Sequence, residues 1–301
     1  MAVTADWRSL YPFQSHHRAV GEHRYHYLDE GAGSPLLMVH GNPTWSFYWR
    51  NLVTAFRDRH RVVVPDHLGC GLSDKPLDYP YRLENHIDNL VELIDQLDLQ
   101  NTTLLVHDWG GAIGLGAALR RPERFSRIVL FNTGAFPPDY IPLRILACRI
   151  PGLGPLAVRG GNLFARGALT MATEKRERFN KEVCAGMIAP YGSWRDRIAV
   201  QRFVEDIPLT KRHPTYDCLK WIEQELPSLG HLPIKLIWGG KDWCFRKSCL
   251  ARFQRIWPEA ESVVYEDAGH YVVEDAIERI IPELESFLAT PVASTEVSGD
   301  G

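Results

Sequence analysis

The chain has 301 residues, 45% hydrophobic and 24% charged, with a formal net charge of -3 and a pI near 6.5. That balance suits one soluble α/β domain with an insertion and requires no second independent domain. Lys and Arg are scattered, which excludes a phosphate-backbone binder, and no window approaches the ~18 uninterrupted apolar residues of a membrane span. In chain order, residues 23–28, 35–39, 61–64, 103–106, 127–131, 234–238 and 262–265 are short β-prone runs. Helical-period segments at 45–56, 83–97, 111–119, 246–257 and 274–288 lie between and after them. Ile87, Leu90, Val91, Ile94 and Leu97 recur at spacings of three and four, one apolar stripe for a sheet to cover. Strands alternating with helices give a parallel sheet, and right-handed crossovers make it doubly wound.

The interval 137–229 breaks the alternation, being helical in character, rich in Arg, and marked by Pro and Gly at 151–155. It is expected to be a helical cap inserted after the sixth strand, on a core of 1–136 and 230–289. Phe164, Leu169, Met171, Phe179, Trp194, Ile198 and Phe203 are candidates for a roof over the strand ends. The polar tail 290–301 is expected to be disordered. Residues 1–11 lack the basic-then-apolar pattern of an export signal, so a cytoplasmic location is expected.

The six cysteines, at 70, 148, 184, 218, 244 and 249, show no CxxC or CxxH pairing. They are expected to be free, buried thiols, with Cys70 in its Gly-rich turn the one near the site. His16-His17 and His23/His26 lack a carboxylate or thiol at ligand spacing, so no metal is expected and these imidazoles default to the solvated surface.

Leu104-Leu105-Val106-His107-Asp108-Trp109-Gly110-Gly111 places a carboxylate where a buried strand turns sharply into a closely packed helix. A plain helix N-cap would also put Asp there. Other strand ends carry polar groups too, and ligands of open α/β sheets sit beyond those ends. His40-Gly41-Asn42-Pro43 follows one strand, Gly239-Gly240-Lys241-Asp242 another, and Asp267-Ala268-Gly269-His270 the last. Nucleophile, acid and histidine therefore occur in that chain order. An imidazole at His270 suits a general base, with Asp242 fixing its tautomer; Asp217, Asp267 and Asn132 are the rival positions for that partner. The backbone N–H groups of Asn42 and Trp109 fall where an oxyanion hole forms, and their side chains are neutral donors suited to a leaving halide.

These motifs resemble the haloalkane dehalogenases of the α/β-hydrolase superfamily. The resemblance is carried by His40-Gly41-Asn42-Pro43-Thr44, Trp49-Arg50-Asn51-Leu52, Pro65-Asp66-His67-Leu68-Gly69, Gly71-Leu72-Ser73-Asp74-Lys75-Pro76, His107-Asp108-Trp109-Gly110-Gly111 and Ala268-Gly269-His270. It implies a mostly parallel eight-stranded sheet flanked by helices, with a helical cap after strand six. Asn42 paired with Trp109, and Asp242 as the acid after strand seven, resemble the third dehalogenase subfamily. Asn132 departs from a subfamily that keeps a Glu there, and the cap offers no obvious second halide-binding Trp. The core, with Ser193-Trp194-Arg195-Asp196-Arg197-Ile198-Ala199-Val200, also resembles β-lactone decarboxylases of the bacterial long-chain olefin pathway.

The leading expectation is hydrolytic dehalogenation. Asp108 displaces halide to give an alkyl ester, and His270 activates water to cleave it. The rival is opening of a β-lactone by Asp108 with loss of carbon dioxide to an alkene. Epoxide hydrolysis stands third, with Tyr140, Tyr191 and Tyr216 as acid candidates, and a receptor on a hydrolase scaffold stands last. The expected partners are a small apolar substrate and water, with no cofactor, metal, nucleic acid or membrane span. The oligomeric state is not legible.

Overall fold

The structure, a computed structural model, describes residues 6–291. One sheet holds eight strands: β1 (Ser15–Val20), β2 (His23–Glu30), β3 (Pro35–Val39), β4 (Arg61–Pro65), β5 (Thr102–Asp108), β6 (Phe125–Thr133), β7 (Ile234–Gly239) and β8 (Glu261–Tyr265). Their order across the sheet is β1-β2-β4-β3-β5-β6-β7-β8. β2 pairs antiparallel with β1 and with β4, and the other pairings are parallel. This is the α/β-hydrolase fold that the motifs imply.

All seven residues of β5 are buried, as a central parallel strand covered on both faces requires. Its pleat divides them between two cores: Leu104 and Val106 join the cluster on one face, Leu105 the cluster on the other. Burying each such side chain contributes about 1.5–3 kcal/mol, so a one-residue slip of β5 would forfeit both cores. Helices α1 (Arg50–Phe56), α2 (Leu83–Gln96) and α3 (Trp109–Arg120) cover the sheet. The α2 stripe of Ile87, Leu90, Val91 and Ile94 is buried as its periodicity predicts. α3 is buried on nearly every side, held between β5, α2 and the helix Pro214–Glu225. Its small residues let the sheet approach.

Between β6 and β7 the chain runs through short helices, among them Leu143–Ala147, Leu163–Met171, Lys181–Ile188, Ile198–Glu205 and Pro214–Glu225. The tail beyond residue 291, whose disorder the composition predicts, lies outside the described residues. Among the described residues no helix is long and apolar enough to cross a membrane, and no group of three or more His, Cys, Asp and Glu gathers for a metal.

Three expectations differ from the structure. β1 is absent from the strands read in the sequence, because Ser15–Val20 is an edge strand whose residues alternate exposed and half-buried and carry His16 and Arg18. His26 is no surface residue: it is fully buried, with Nδ1 2.8 Å from an Asp66 oxygen and Nε2 3.0 Å from the Ser15 hydroxyl. Cys70 is buried outside the cavity described below, whose wall holds Cys148, Cys244 and Cys249 instead; all six thiols are free, but only Cys70 is fully buried, the other five being partly exposed.

Candidate active site

β5 gives way to α3 at Asp108, where the backbone takes φ 55° and ψ -128°. A left-handed residue with a side chain costs about 1–3 kcal/mol and persists only where its surroundings enforce it. Here the Thr133 hydroxyl donates to the Asp108 carbonyl, and the following turn presses against β3. A Cβ on Gly110 would stand 2.1 Å from the Val39 carbonyl oxygen, which is sheet backbone and cannot move aside. Gly110→Ala is therefore expected to lower the thermal unfolding midpoint by about 10 °C or more, or to leave no folded protein. Gly160→Ala, whose Cβ would meet only the Trp194 ring at 3.6 Å, is the control expected to hold within about 2 °C by calorimetry.

The Asp108 side chain makes no helix-capping bond, which disposes of the plain N-cap reading. Its Oδ1 accepts the Asn42 backbone N–H at 2.5 Å, and the Trp109 N–H also stabilises the carboxylate. The loop carrying Asn42 passes so close that a Cβ on Gly41 would lie 2.0 Å from Oδ1. His270 Nε2 lies 3.7 Å from Oδ2, and on its other side His270 Nδ1 lies 2.8 Å from an Asp242 oxygen. With a carboxylate acceptor there, Nδ1 carries the proton and Nε2 faces Asp108. Asp242 Oδ1 accepts the Cys244 N–H at 2.6 Å.

Asp108, His270 and Asp242 are only 6%, 6% and 5% exposed, so their charges interact with little screening. Burial raises the Asp108 pKa; His270 and the Trp109 and Asn42 N–H groups pull against it, but the net shift is upward. Burial alone would lower His270, yet the Asp242 and Asp108 carboxylates outweigh it and raise the imidazole. The site thus holds a poorly solvated carboxylate beside an imidazole whose protonated form the neighbouring carboxylates favour.

All five residues singled out in the sequence lie together, four in the cavity wall and Asp242 behind His270. The rival acids do not meet the imidazole. Asp267 is a surface residue paired with Arg279 and Lys175, its pKa lowered to about 2, and Asp217 sits in the first turn of Pro214–Glu225. The Asn42 amide nitrogen donates to the Val200 carbonyl at 3.2 Å, leaving its second N–H uncommitted, while its Oδ1 is buried without a partner. The Trp109 ring packs on Phe203, centroids 5.5 Å apart, and also lines the cavity.

Three further residues support the site. Asn132, at the end of β6, donates to Asp242 Oδ2 at 2.9 Å and accepts the Gly239 N–H at 2.7 Å, tying the acid to the end of β7. His107 Nε2 lies 2.9 Å from the His270 carbonyl oxygen. Asp275 accepts the Gly269 N–H at 2.7 Å and the Glu174 N–H at 2.9 Å, so it anchors the histidine loop and the inserted segment at once. The position of Asn132 after a strand was the one signal available. The other two depend on partners far away in sequence.

The cavity above Asp108 has a volume of about 560 Å³. Its walls are mainly apolar, including Phe136, Ile141, Ile145, Val158, Phe164 and Leu219. Of the seven roof candidates only Phe164 and Met171 line it. Leu169 and Phe179 pack against one core cluster, Ile198 and Phe203 belong to the other, and Trp194 is exposed. Tyr140 lines the cavity, whereas Tyr191 is buried in a cluster of the inserted segment.

Comparisons with known proteins agree with this architecture. Residues 34–150 match the alpha/beta hydrolase fold family. A cis-3-alkyl-4-alkyloxetan-2-one decarboxylase of Shewanella oneidensis is 43% identical over 297 residues, spanning 96% of this chain and 93% of its own. Haloalkane dehalogenase 2 of Mycobacterium tuberculosis is 35% identical over 277 residues, spanning 90% and 93%. Among solved structures, the haloalkane dehalogenase DatA from Agrobacterium tumefaciens C58 superposes with a TM-score of 0.81 at 26% identity, covering 91% of this chain and 96% of that one. The chain belongs to the α/β-hydrolase superfamily, in the branch that holds haloalkane dehalogenases and cis-3-alkyl-4-alkyloxetan-2-one decarboxylases.

Proposed function

We propose that the protein decarboxylates a β-lactone bearing two alkyl chains, with Asp108 as nucleophile. The observation that carries this reading is a desolvated carboxylate at the floor of a large, mainly apolar cavity. The 43% identity to a decarboxylase along almost the whole chain supports it over dehalogenation, the reaction the motifs alone put first. In this reading residues 137–229 form a cap over a core of 1–136 and 230–289.

Asp108 attacks the saturated ring carbon that bears the ring oxygen. The carbon–oxygen bond breaks, an alkyl ester to Asp108 forms, and a free carboxylate remains on the neighbouring carbon. That carboxylate leaves as carbon dioxide, its electron pair becomes the alkene bond, and Asp108 departs as carboxylate. No water is consumed and no proton moves. Asn42 and Trp109 supply neutral donors for the developing charge on the ring oxygen. His270, held by Asp242, balances the charge of Asp108.

Dehalogenation is the second reading, favoured by the Trp109 indole in the cavity wall. There Asp108 displaces halide, and His270 activates the water that hydrolyses the ester. Incubation with a long-chain cis-β-lactone and, separately, with 1-bromobutane divides the two. Alkene and carbon dioxide are the expected products, with halide release much slower. Halide release without alkene from the lactone overturns the reading.

A further inference from the structure

Eleven large apolar side chains are exposed among the described residues, and seven of them fall between Tyr140 and Met171. Leu143 is 82% exposed, and Leu153, Leu156 and Leu163 are each more than half exposed, with Ile150 and Met171 close behind. An uncovered concentration of this kind marks an interaction surface rather than ordinary scatter. Its charge is equally one-sided: no Asp or Glu occurs between Asp139 and Glu174, while Arg144, Arg149, Arg159 and Arg166 do. Arg144 and Arg166 are exposed. Leu163 and Met171 are both exposed and part of the cavity wall, so the surface is continuous with the site.

We propose that this segment docks on the surface of an anionic lipid bilayer and turns the cavity mouth toward it. Short helices carrying exposed leucines among arginines match a segment that lies in the membrane interface, apolar side chains in the acyl boundary and guanidinium groups at the phosphates. A second copy of the chain fits less well. A two-fold contact would set the same face against itself, arginine opposite arginine, with no acidic residue in the segment to answer them. The docking rests on this surface alone. Its use, drawing a water-insoluble substrate from the bilayer into the cavity, rests on the function proposed above.

Flotation of the full chain with phosphatidylcholine vesicles, with and without phosphatidylserine, tests this without any turnover. The protein is expected to float with the anionic vesicles, less with the neutral ones, and less as salt rises. Leu153→Glu with Leu156→Glu is expected to weaken binding by about tenfold or more, and Arg166→Glu by about fivefold or more. None of these residues lines the cavity, so turnover of a short, soluble substrate stays unchanged. The proposal is overturned if the protein does not float with anionic vesicles, or floats equally well after the substitutions. It is also overturned if sedimentation shows a self-associated wild type that the leucine substitutions make monomeric while no vesicle binding occurs.

Discussion

Asp108→Ala is expected to abolish turnover of lactone and bromoalkane alike, by on the order of 10⁴-fold or more, because both reactions begin with a bond to this carboxylate. It is not expected to cost stability. The folded-state pKa of Asp108 is raised, so folding disfavours its ionised form. Stability from this group falls as pH rises from its unfolded pKa through its folded one, and at neutral pH the charge is a net burden. Removing it should leave the thermal midpoint at neutral pH unchanged or higher, a pattern common where a site holds a strained or poorly solvated group. Lost activity with a markedly lower midpoint would assign Asp108 a structural role instead.

His270→Phe is the variant that separates the two chemistries. With 1-bromobutane it should complete one displacement and stop, leaving the butyl ester on Asp108, visible by mass spectrometry of the intact protein. With a β-lactone it should keep turning over, slowed by about 10- to 100-fold, because the imidazole tunes the carboxylate without accepting a proton in that scheme. Water labelled with ¹⁸O gives an independent check on the wild type. Label should enter the Asp108 carboxylate during bromoalkane turnover and not during lactone turnover. A loss of lactone activity as deep as that of Asp108→Ala would sink the water-free scheme, since it would show that His270 moves a proton there too.

The centre of the fold was legible because its constraints are local. A continuous apolar run, an acidic tip and a Gly-Gly start to the helix all lie within eight consecutive residues, Leu104 to Gly111. The Asp-His-Asp set was legible through chain order, one residue after each of three strands. What stayed hidden depends on partners distant along the chain. His26 and Asp66 are 40 positions apart, and nothing near either announces a buried pair. Asn132 drew notice as a rival position for the partner of His270 and as a departure from a resemblance; its work as a strut for Asp242, 110 positions on, needed the fold. β1 failed for another reason. An edge strand buries too little to impose an apolar pattern, so backbone pairing to β2 defines it. The roof was misread because four of its seven candidates, Leu169, Phe179, Ile198 and Phe203, pack on the core, while the cavity takes its apolar wall from other residues of the same segment, such as Ile141, Ile145, Val158 and Leu219.

Asn42 grips two bodies at once: its main chain holds the Asp108 carboxylate, and its side chain holds the Val200 carbonyl, in the segment between β6 and β7. Anything that displaces Val200, whether an entering molecule or a distant substitution, tugs on the donor that steadies the Asp108 carboxylate. In the proposed scheme admission and chemistry are therefore geared together through one short side chain, and rates measured after changes far above the floor of the cavity are expected to carry the imprint of that linkage.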